Sequence, residues 1–427
     1  MSVRLTDEDL LGPAGQERAA QLEADDPLGS HRHLFEIPEG VTYLAGNSLG
    51  LQPVAARVAV DDVLDAWARR AVDGHVEGEH PWVSYHRSMR ESAASLVGAQ
   101  PGEAVVMNSL TMNLHVMLRS FYRPTPERHR IVFEADVFPS DRYALMNTVR
   151  AHGYDAGDAA VILSPRPGEH HLRTEDVVGF LEGEGQSVAV VVLSAVDFRT
   201  GALLDIPAIT AATHRAGAVS GWDLAHAAGN VPLSMHDWDV DFAVWCHYKY
   251  LNSGPGAVGG CYVHERHGAD LSLVRPGGWW GHEVSSRFDM PFAFRPQEGA
   301  DGWQVSNPPI LAMAPVRVSL EMFATVGLPA LRARSMRLTS FLEELLDAVA
   351  ARRPLQLITP RDPDRRGAQL SVVVEDAAAV TEALFEQHRV RCDDRPPNIV
   401  RVAPAPLYNT YEDCWRAAMA FDAVLAS

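Results

Sequence analysis

Short apolar runs rich in β-branched residues alternate with helical segments through the middle of the chain, and this pattern restricts the fold more than any other feature. Strands without a polar face must be covered on both sides, which is typical of a parallel sheet between layers of helices. We therefore predict an α/β fold with a mostly parallel sheet. The predicted strands span residues 104–107, 130–136, 159–163, 188–196, 218–224 and 241–245, and the helices between them span 112–122, 140–152, 174–184 and 205–216.

The pattern differs on either side of this region. Before it, we predict a polar helix at 6–25, a strand at 43–46 and a helix at 54–72. After residue 308, long helices precede short strands, which indicates a smaller α+β unit. Its predicted helices span 309–325 and 328–352, and its strands span 369–374 and 399–403 before a terminal helix. We thus expect an N-terminal helix and arm (1–55), a large α/β domain (56–308) and a small C-terminal α+β domain (309–427).

The charge and cysteine content exclude several functional classes. The net charge is −18, which argues against binding to nucleic acids or anionic membranes. The sequence contains no apolar run of 18 residues, and its charged N-terminal stretch leads us to expect a helix rather than a signal peptide. Its four cysteines form no C-x-x-C pair and no zinc spacing, so we expect free thiols, no metal and a cytoplasmic location.

Two predicted strand ends carry polar residues that suit a buried ligand. In MNSLTMNLH, Ser109 and Thr111 stand at a helix start, where hydroxyl groups either cap the helix or help to form a phosphate site. In SGWDLAHAAGN, Asp223 ends an apolar strand, so it is either a helix cap or the partner of a buried cation. His226 lies three residues further on.

A third strand end carries a lysine, although arginine supplies almost all of the positive charge. Lys249 lies in HYKYLNSGPG, directly before a glycine-rich turn. Unlike arginine, lysine can lose its proton and attack a carbonyl carbon. A reactive lysine, a carboxylate and a phosphate cradle are the three parts that pyridoxal 5'-phosphate requires. The three strand ends together therefore predict a pyridoxal-phosphate site.

The chain resembles the kynureninase family over nearly its whole length. The resemblance rests on YLAGNSLGLQP, MNSLTMNLH, FPSDRYA, DLAHAAGN, VDFAVWCHYKYLNSGPG, GWWGHE, SNPPIL and IVRVAPAPLYN, in family order. It implies the fold of the pyridoxal-phosphate-dependent transferases (fold type I). It also implies a homodimer with active sites shared between subunits.

The resemblance assigns roles to individual residues. Lys249 would hold the cofactor covalently, and Asp223 would pair with its ring nitrogen. Tyr248 would bind the phosphate and is our candidate proton donor. The remaining cofactor contacts would be Leu110, Thr111, Phe138, Asp141, Ser194, His226, Trp279 and Asn307, with Trp279 and Asn307 supplied by the neighbouring subunit.

The implied reaction is hydrolytic cleavage of kynurenine to anthranilate and alanine, or of 3-hydroxykynurenine to 3-hydroxyanthranilate. Such a step serves tryptophan catabolism, NAD biosynthesis or a secondary-metabolite pathway. Arg401 would bind the α-carboxylate of the substrate through its planar fork. Ser48, His75, Ser306 and Asn307 complete the expected substrate site. An imidazole and an amide can hydrogen-bond a ring hydroxyl, so we expect a preference for 3-hydroxykynurenine.

Two other interpretations stay open on the sequence. Another enzyme of the same fold, such as a cysteine desulfurase or an aminotransferase, would share the lysine and the aspartate. A desulfurase needs a cysteine on a mobile loop, and Cys392 and Cys414 lie in the predicted small domain. A non-catalytic binding protein of this fold usually lacks the lysine or its carboxylate, and both are present here.

Overall fold

A computed structural model describes residues 6–270 and 272–426 of the chain. Its central element is a seven-stranded sheet. In chain order, the strands of this sheet and of the smaller sheets are β1 (Phe35–Glu36), β2 (Thr42–Tyr43), β3 (Gln52–Pro53), β4 (Ala104–Val106), β5 (Arg130–Glu134), β6 (Ala160–Leu163), β7 (Val188–Ser194), β8 (Val219–Asp223), β9 (Phe242–Trp245), β10 (Gly260–Val263), β11 (Gln356–Leu357), β12 (Leu370–Val373), β13 (Val390–Arg391), β14 (Asp393–Arg395) and β15 (Ile399–Val402).

Helices cover the sheets and make the connections between strands. The α-helices are α1 (Asp7–Leu10), α2 (Pro13–Asp25), α3 (Val54–Arg70), α4 (Arg90–Val97), α5 (Leu110–Phe121), α6 (Pro139–Ala151), α7 (Ala156–Ala159), α8 (Thr174–Glu184), α9 (Ile206–Arg215), α10 (Glu265–Gly268), α11 (Ile310–Val326), α12 (Leu328–Ala350), α13 (Ala377–His388) and α14 (Tyr411–Val424). Short 3-10 helices span Arg32–Leu34, Ala71–His75, Trp82–Met89, Gly185–Ser187, Trp279–Gly281, Arg287–Asp289, Gly299–Trp303 and Pro363–Arg365.

The large sheet confirms the predicted α/β fold. Its strand order is β4-β10-β9-β8-β7-β5-β6, and β9, β8, β7, β5 and β6 run parallel. All seven residues of β7 are buried, as expected for a strand covered on both faces. The sequence analysis missed β10, which pairs antiparallel with both β4 and β9. Its four residues, GCYV, directly follow a glycine-rich turn and form too short a run to stand out.

The N-terminal segment corrects one predicted element. The expected single helix at 6–25 is two helices, because the chain breaks at Leu11 and Gly12. Thr6 caps α1 through a reciprocal capping box with Asp9, and Pro13 starts α2, where its missing N–H costs nothing. Leu10 and Leu11 are buried in the same apolar cluster as α12 and α14. The N-terminal helices α1 and α2 therefore pack on α12 and α14.

The C-terminal part contains a four-stranded sheet of order β11-β12-β15-β14, in which every pair is antiparallel. Helices α12, α13 and α14 contribute to its apolar core. The N-terminal arm also joins this part, because β2 pairs with β13 and Ala45 bridges to Ala403. This arm places the GNSLG loop (46–50) between β15 and the large sheet.

In the described part of the chain, no single helix is long and apolar enough to cross a membrane. Only α11 and α12 taken together reach that length and composition, and the pair is bent by 82°.

Candidate active site

The carboxyl ends of the parallel strands place charged side chains along one edge of the large sheet. β5 ends at Glu134, β7 at Ser194 and β8 at Asp223, and Lys249 follows the end of β9 by four residues. Ser194 and Asp223 are directly opposite in the sheet register. Because adjacent parallel strands end at the same edge, three of the predicted site residues meet there.

A buried histidine shapes the turn that carries Lys249. Burial lowers the pKa of His247 to about 4, so the ring is neutral near neutral pH. Its Nε2 accepts the indole N–H of Trp245 at 3.1 Å, and its Nδ1–H donates to the Val258 carbonyl at 2.6 Å. The backbone N–H of Ser253 closes the turn on the His247 carbonyl at 2.9 Å. The backbone around Lys249 is thus fixed from several directions.

The GNSLG loop packs directly on this turn. The Gly50 N–H donates to the Tyr248 carbonyl at 2.8 Å. A Cβ at Gly50 would lie 2.4 Å from the Lys249 carbonyl oxygen and 2.3 Å from Asn252 Oδ1, so only glycine fits. The predicted substrate residue Ser48 belongs to the same loop and is half-buried.

Lys249 is the only lysine in the 427-residue chain. Its side chain is half-buried, and its Nζ lies 5.8 Å from the ring centre of Phe138 and 5.9 Å from that of Tyr248. Burial, followed by interaction with Cys246, raises the pKa of Tyr248, so its hydroxyl keeps its proton at neutral pH. The site therefore brings together an amine and a phenolic proton donor.

Asp223 and Asp141 form a carboxyl pair next to this amine. Burial and the negative charge of Asp223 raise the pKa of Asp141 well above its usual range. Burial also raises the pKa of Asp223, while the hydrogen bond from Asp141 and the charge of Lys249 act against that increase. We infer that the pair holds one proton on Asp141 and one negative charge on Asp223. The Asp223 carboxylate also accepts the Ala225 N–H at 2.7 Å, which partly supports the capping interpretation.

Glu134 adds a third carboxyl group that the sequence analysis did not select. Its Oε1 accepts the backbone N–H of Ser194 at 3.1 Å, whereas its buried Oε2 has no partner among the described residues. Burial raises the pKa of Glu134 to about 7, and its charge contributes to the raised pKa of Asp141. The sequence did contain a signal for Glu134. Burying a charged residue at the end of an apolar strand costs free energy unless the charge is paired, so such a residue is a candidate for a function.

The start of α5 is open to an anion. Ser109 is the N-cap residue, but its side chain makes no capping hydrogen bond, so the first-turn N–H groups lack that partner. Gly259 packs against this turn, and a Cβ there would lie 3.0 Å from the Leu110 nitrogen and 2.9 Å from the Trp245 carbonyl oxygen. The Thr111 hydroxyl contacts Ser140 at 3.3 Å, which connects the turn to Asp141 on α6.

These features fit pyridoxal 5'-phosphate. The open helix start suits its phosphate, and the charged Asp223 suits its protonated ring nitrogen. His226 lies in a turn rather than a helix, and its buried Nδ1 has no partner among the described residues. Burial and then the charge of Lys249 lower the pKa of His226 well below its usual range, so the ring is neutral. A neutral imidazole beside Lys249 can lie against the aromatic ring of a cofactor without adding a charge.

Phe198 and Arg401 border the site on the side of the small sheet. The Phe198 ring lies edge-on to Phe138 at 5.4 Å and 6.4 Å from the His226 ring. Arg401 is fully buried, and its Nη1 donates to the Phe198 carbonyl at 2.8 Å. The sequence analysis missed Phe198, for which an aromatic ring four residues after the end of β7 was the only signal.

The other expected residues lie apart from Lys249 within one chain. Among the described residues, no hydrogen bond, ion pair or ring contact joins Lys249 to them. Trp279 is exposed and donates its indole N–H to the Arg287 carbonyl at 3.1 Å, and His75 packs edge-on to Trp82 at 5.2 Å. Ser306 and Asn307 are both exposed.

The cysteines give no support to a desulfurase. All four are unpaired and buried, and Cys392 and Cys414 are held within the core of the small sheet and its helices. A persulfide carrier requires an accessible thiol.

Comparison with known proteins identifies the relatives of the chain. The family model of the kynureninase C-terminal domain matches residues 331–421. A kynureninase from Salinispora tropica is 56% identical over 96% of this chain and 97% of its own length. Kynureninases from Koribacter versatilis and Myxococcus xanthus are 49% and 50% identical, over 95% and 93% of this chain and 97% and 94% of their own lengths.

Solved structures show the fold at much lower identity. The cysteine desulfurase CsdA from Escherichia coli superimposes with a TM-score of 0.72 and 19% identity, over 96% of this chain and 98% of its own. A variant of C-DES with glycine covalently linked to its pyridoxal-phosphate cofactor gives a TM-score of 0.76 and 17% identity, over 91% and 98%. The fold is therefore that of the pyridoxal-phosphate enzymes of fold type I.

Proposed function

The chain belongs to the kynureninase family, and we propose that it hydrolyses the Cβ–Cγ bond of L-kynurenine to release anthranilate and L-alanine. The observation that carries this proposal is the position of the only lysine, beside the Asp141–Asp223 pair and the open start of α5. The fluorescence of released anthranilate, together with an equal amount of alanine, tests the activity. The buried, unpaired cysteines support a cytoplasmic location. A role in tryptophan catabolism or a related pathway is proposed from the family alone.

Pyridoxal 5'-phosphate is the cofactor of this site. When bound, it supplies an aldehyde that condenses with amines and a ring that accepts electrons from the carbon atoms next to the amine. Lys249 would hold the aldehyde carbon, Asp223 the ring nitrogen, and Leu110 and Thr111 the phosphate. Phe138 would cover one face of the ring.

Individual residues of the chain would then have separate roles in the reaction of the substrate. Arg401 binds the α-carboxylate, which orients the Cα–H bond toward Lys249. The Lys249 amine, when it is free, would remove the Cα proton as a general base. The negative charge of Asp223 would keep the ring nitrogen of the bound cofactor protonated. Water adds to the γ-carbonyl, the Cβ–Cγ bond breaks, and the β-carbon takes up a proton to become the methyl group of alanine.

We assign that last proton to Tyr248. Its hydroxyl stays protonated at neutral pH, and its ring is 5.9 Å from Lys249 Nζ. Tyr248→Phe removes only the hydroxyl, so we expect turnover to fall by about 10²- to 10³-fold, as for loss of a general acid. Cofactor affinity should fall by less than about 10-fold, because the α5 cradle remains. Stopped-flow kinetics and cofactor titration measure both effects. A collapse of cofactor affinity with normal turnover of the loaded enzyme would contradict the assignment.

We also propose a preference for 3-hydroxykynurenine or a ring-substituted relative. A site that provides hydrogen bonds for a ring hydroxyl, here from His75 and Asn307, penalises a substrate that lacks it. The value of kcat/KM for 3-hydroxykynurenine should exceed that for kynurenine by about 10-fold or more. His75→Leu should bring the two values together. Equal values in the wild-type protein would remove this proposal.

A homodimer would bring the separated residues to the site. An exposed apolar patch surrounds one cleft, which is lined by Trp279, Met290, Phe292 and Phe294. The exposed ring of Phe288 extends the patch, since it packs edge-on to Trp279. Phe288 is 62% and Met290 77% exposed. Patches of this kind mark protein interfaces, and a symmetric dimer would offer Trp279 and Asn307 to the site of its partner.

Mixing two inactive variants tests the shared site. In a dimer of Lys249→Ala with Asn307→Ala, one site combines an intact Lys249 with an intact Asn307 only if the site is shared. Random pairing should then restore about a quarter of the wild-type activity. If the mixture is no more active than its components, each site is built from a single chain.

A further inference from the structure

Asp393 and Arg401 lie directly opposite each other on neighbouring strands of the small sheet. β14 and β15 are antiparallel, and the register pairs these two residues. The Arg401 Nε–H donates to Asp393 Oδ1 at 2.8 Å, and its Nη2 donates to Oδ2. Such a two-point contact fixes the plane of the guanidinium group as well as its position.

A third hydrogen bond orients Arg401 toward the active site. Its Nη1 donates to the Phe198 carbonyl at 2.8 Å, which also accepts from Gln369 Nε2 at 3.0 Å. The ring of the same Phe198 contacts Phe138 and His226. The positive charge of Arg401 also contributes, after burial and Lys249, to the lowered pKa of His226. The guanidinium group therefore borders the cofactor pocket.

Part of the guanidinium group stays available for a ligand. Arginine has five N–H groups, and the three hydrogen bonds above leave one on each Nη nitrogen. Arg395 lies on the same face of β14 as Asp393, and its Nη1 is 3.2 Å from Asp393 Oδ2. Two arginines and one aspartate give the cluster a net charge of +1, which complements a single carboxylate.

We propose that Asp393 is a positioning residue for the substrate carboxylate: it holds Arg401 so that the two remaining Nη N–H groups bind that carboxylate, while Arg395 provides the excess positive charge. This inference rests on the proposed function, in which the substrate is an α-amino acid. In a rival arrangement, the substrate carboxylate displaces Asp393 from the guanidinium group. Positioning is favoured because Asp393 is held by both arginines, and its displacement would separate two ion pairs at once.

The test uses the holoenzyme and two small amines, L-alanine and ethylamine. Ethylamine corresponds to alanine without its carboxylate. The visible absorbance of the cofactor reports the binding of each amine. Asp393→Asn should weaken L-alanine binding by about 10-fold and leave ethylamine unchanged, because only alanine has a carboxylate. The KM for kynurenine should rise by a similar factor, with kcat within about 3-fold of wild type. Asp394→Asn is the matched control, because Asp394 is on the opposite face of β14, where the Thr381 hydroxyl contacts it at 3.3 Å.

Two results for Asp393→Asn would overturn the inference. Equal weakening of both amines in Asp393→Asn would show a general structural role, and tighter alanine binding would show displacement. If that variant does not fold, the half-buried Arg395 gives a second test, because Arg395→Gln should weaken alanine alone by about 3- to 10-fold. Unchanged alanine binding there contradicts the proposal. A wild-type protein that binds alanine but does not cleave kynurenine would refute the proposed function and still allow this comparison.

Discussion

Lys249→Ala is expected to lower kynurenine turnover by at least about 10⁴-fold, the largest effect of any single substitution in this chain. The variant loses both the amine that holds the cofactor and the base that removes the Cα proton. The protein should still fold and bind pyridoxal 5'-phosphate reversibly, because Asp223 and the start of α5 are unchanged. Steady-state kinetics and cofactor titration measure the two properties.

The chain contains a single lysine, so chemical labelling can serve as a specific control for this experiment. Since Lys249 is the only lysine, borohydride reduction of the holoenzyme has a single ε-amine to label. We expect one pyridoxyl group per wild-type chain, on the peptide that contains Lys249, and none on a lysine in the variant. Lys249→Arg keeps the positive charge but cannot form the bond, so it should be as inactive as Lys249→Ala. Substantial activity in either variant would contradict the assignment.

Asp223→Asn should have the next largest effect, a loss of about 10²- to 10³-fold in kcat. The amide keeps an acceptor for the Ala225 N–H, so the local turn is preserved, but the ring nitrogen loses its negative partner. Asp141→Asn is the informative comparison. Burial and the charge of Asp223 raise the pKa of Asp141, from which we infer that Asp141 is the hydrogen-bond donor of the pair. An amide at this position can replace the donor, and kcat should fall by less than about 10-fold. Equal losses in both variants would show that the charge is not localised on Asp223.

The parallel part of the fold could be predicted because its strands are buried on both faces. β7 and β9 are apolar runs, and β5 and β8 bury their central residues. A polar residue stands at or shortly after the end of each strand. That rule selected Asp223 and Lys249, and the family resemblance added Ser194. The structure brings all three to one edge of the sheet. The antiparallel strand β10 was not predicted, because its four residues are too few to show a periodic pattern and they follow a glycine-rich turn. The break between α1 and α2 was not predicted, although Gly12 and Pro13 mark it, because polar residues on both sides suggested one helix.

The rest of the site depends on contacts that are distant in sequence. The pairing of Asp393 with Arg401 is fixed by the antiparallel register of β14 and β15, which the composition of neither strand reveals. Phe198 contacts Arg401 because the turn after β7 packs against the small sheet, and the sequence does not reveal this packing. Trp279 and Asn307 were selected only through the family resemblance. Within one chain they do not reach Lys249, so their role stays a prediction that depends on the dimer.

The most direct test of the central claim is a product balance. Purified protein is loaded with pyridoxal 5'-phosphate, incubated with L-kynurenine, and assayed for kynurenine consumed and for anthranilate and L-alanine formed. We predict that anthranilate and alanine appear in equal amounts that match the kynurenine lost, and that the reaction stops in Lys249→Ala. Unchanged kynurenine, or its conversion to a keto acid without alanine, would contradict the account.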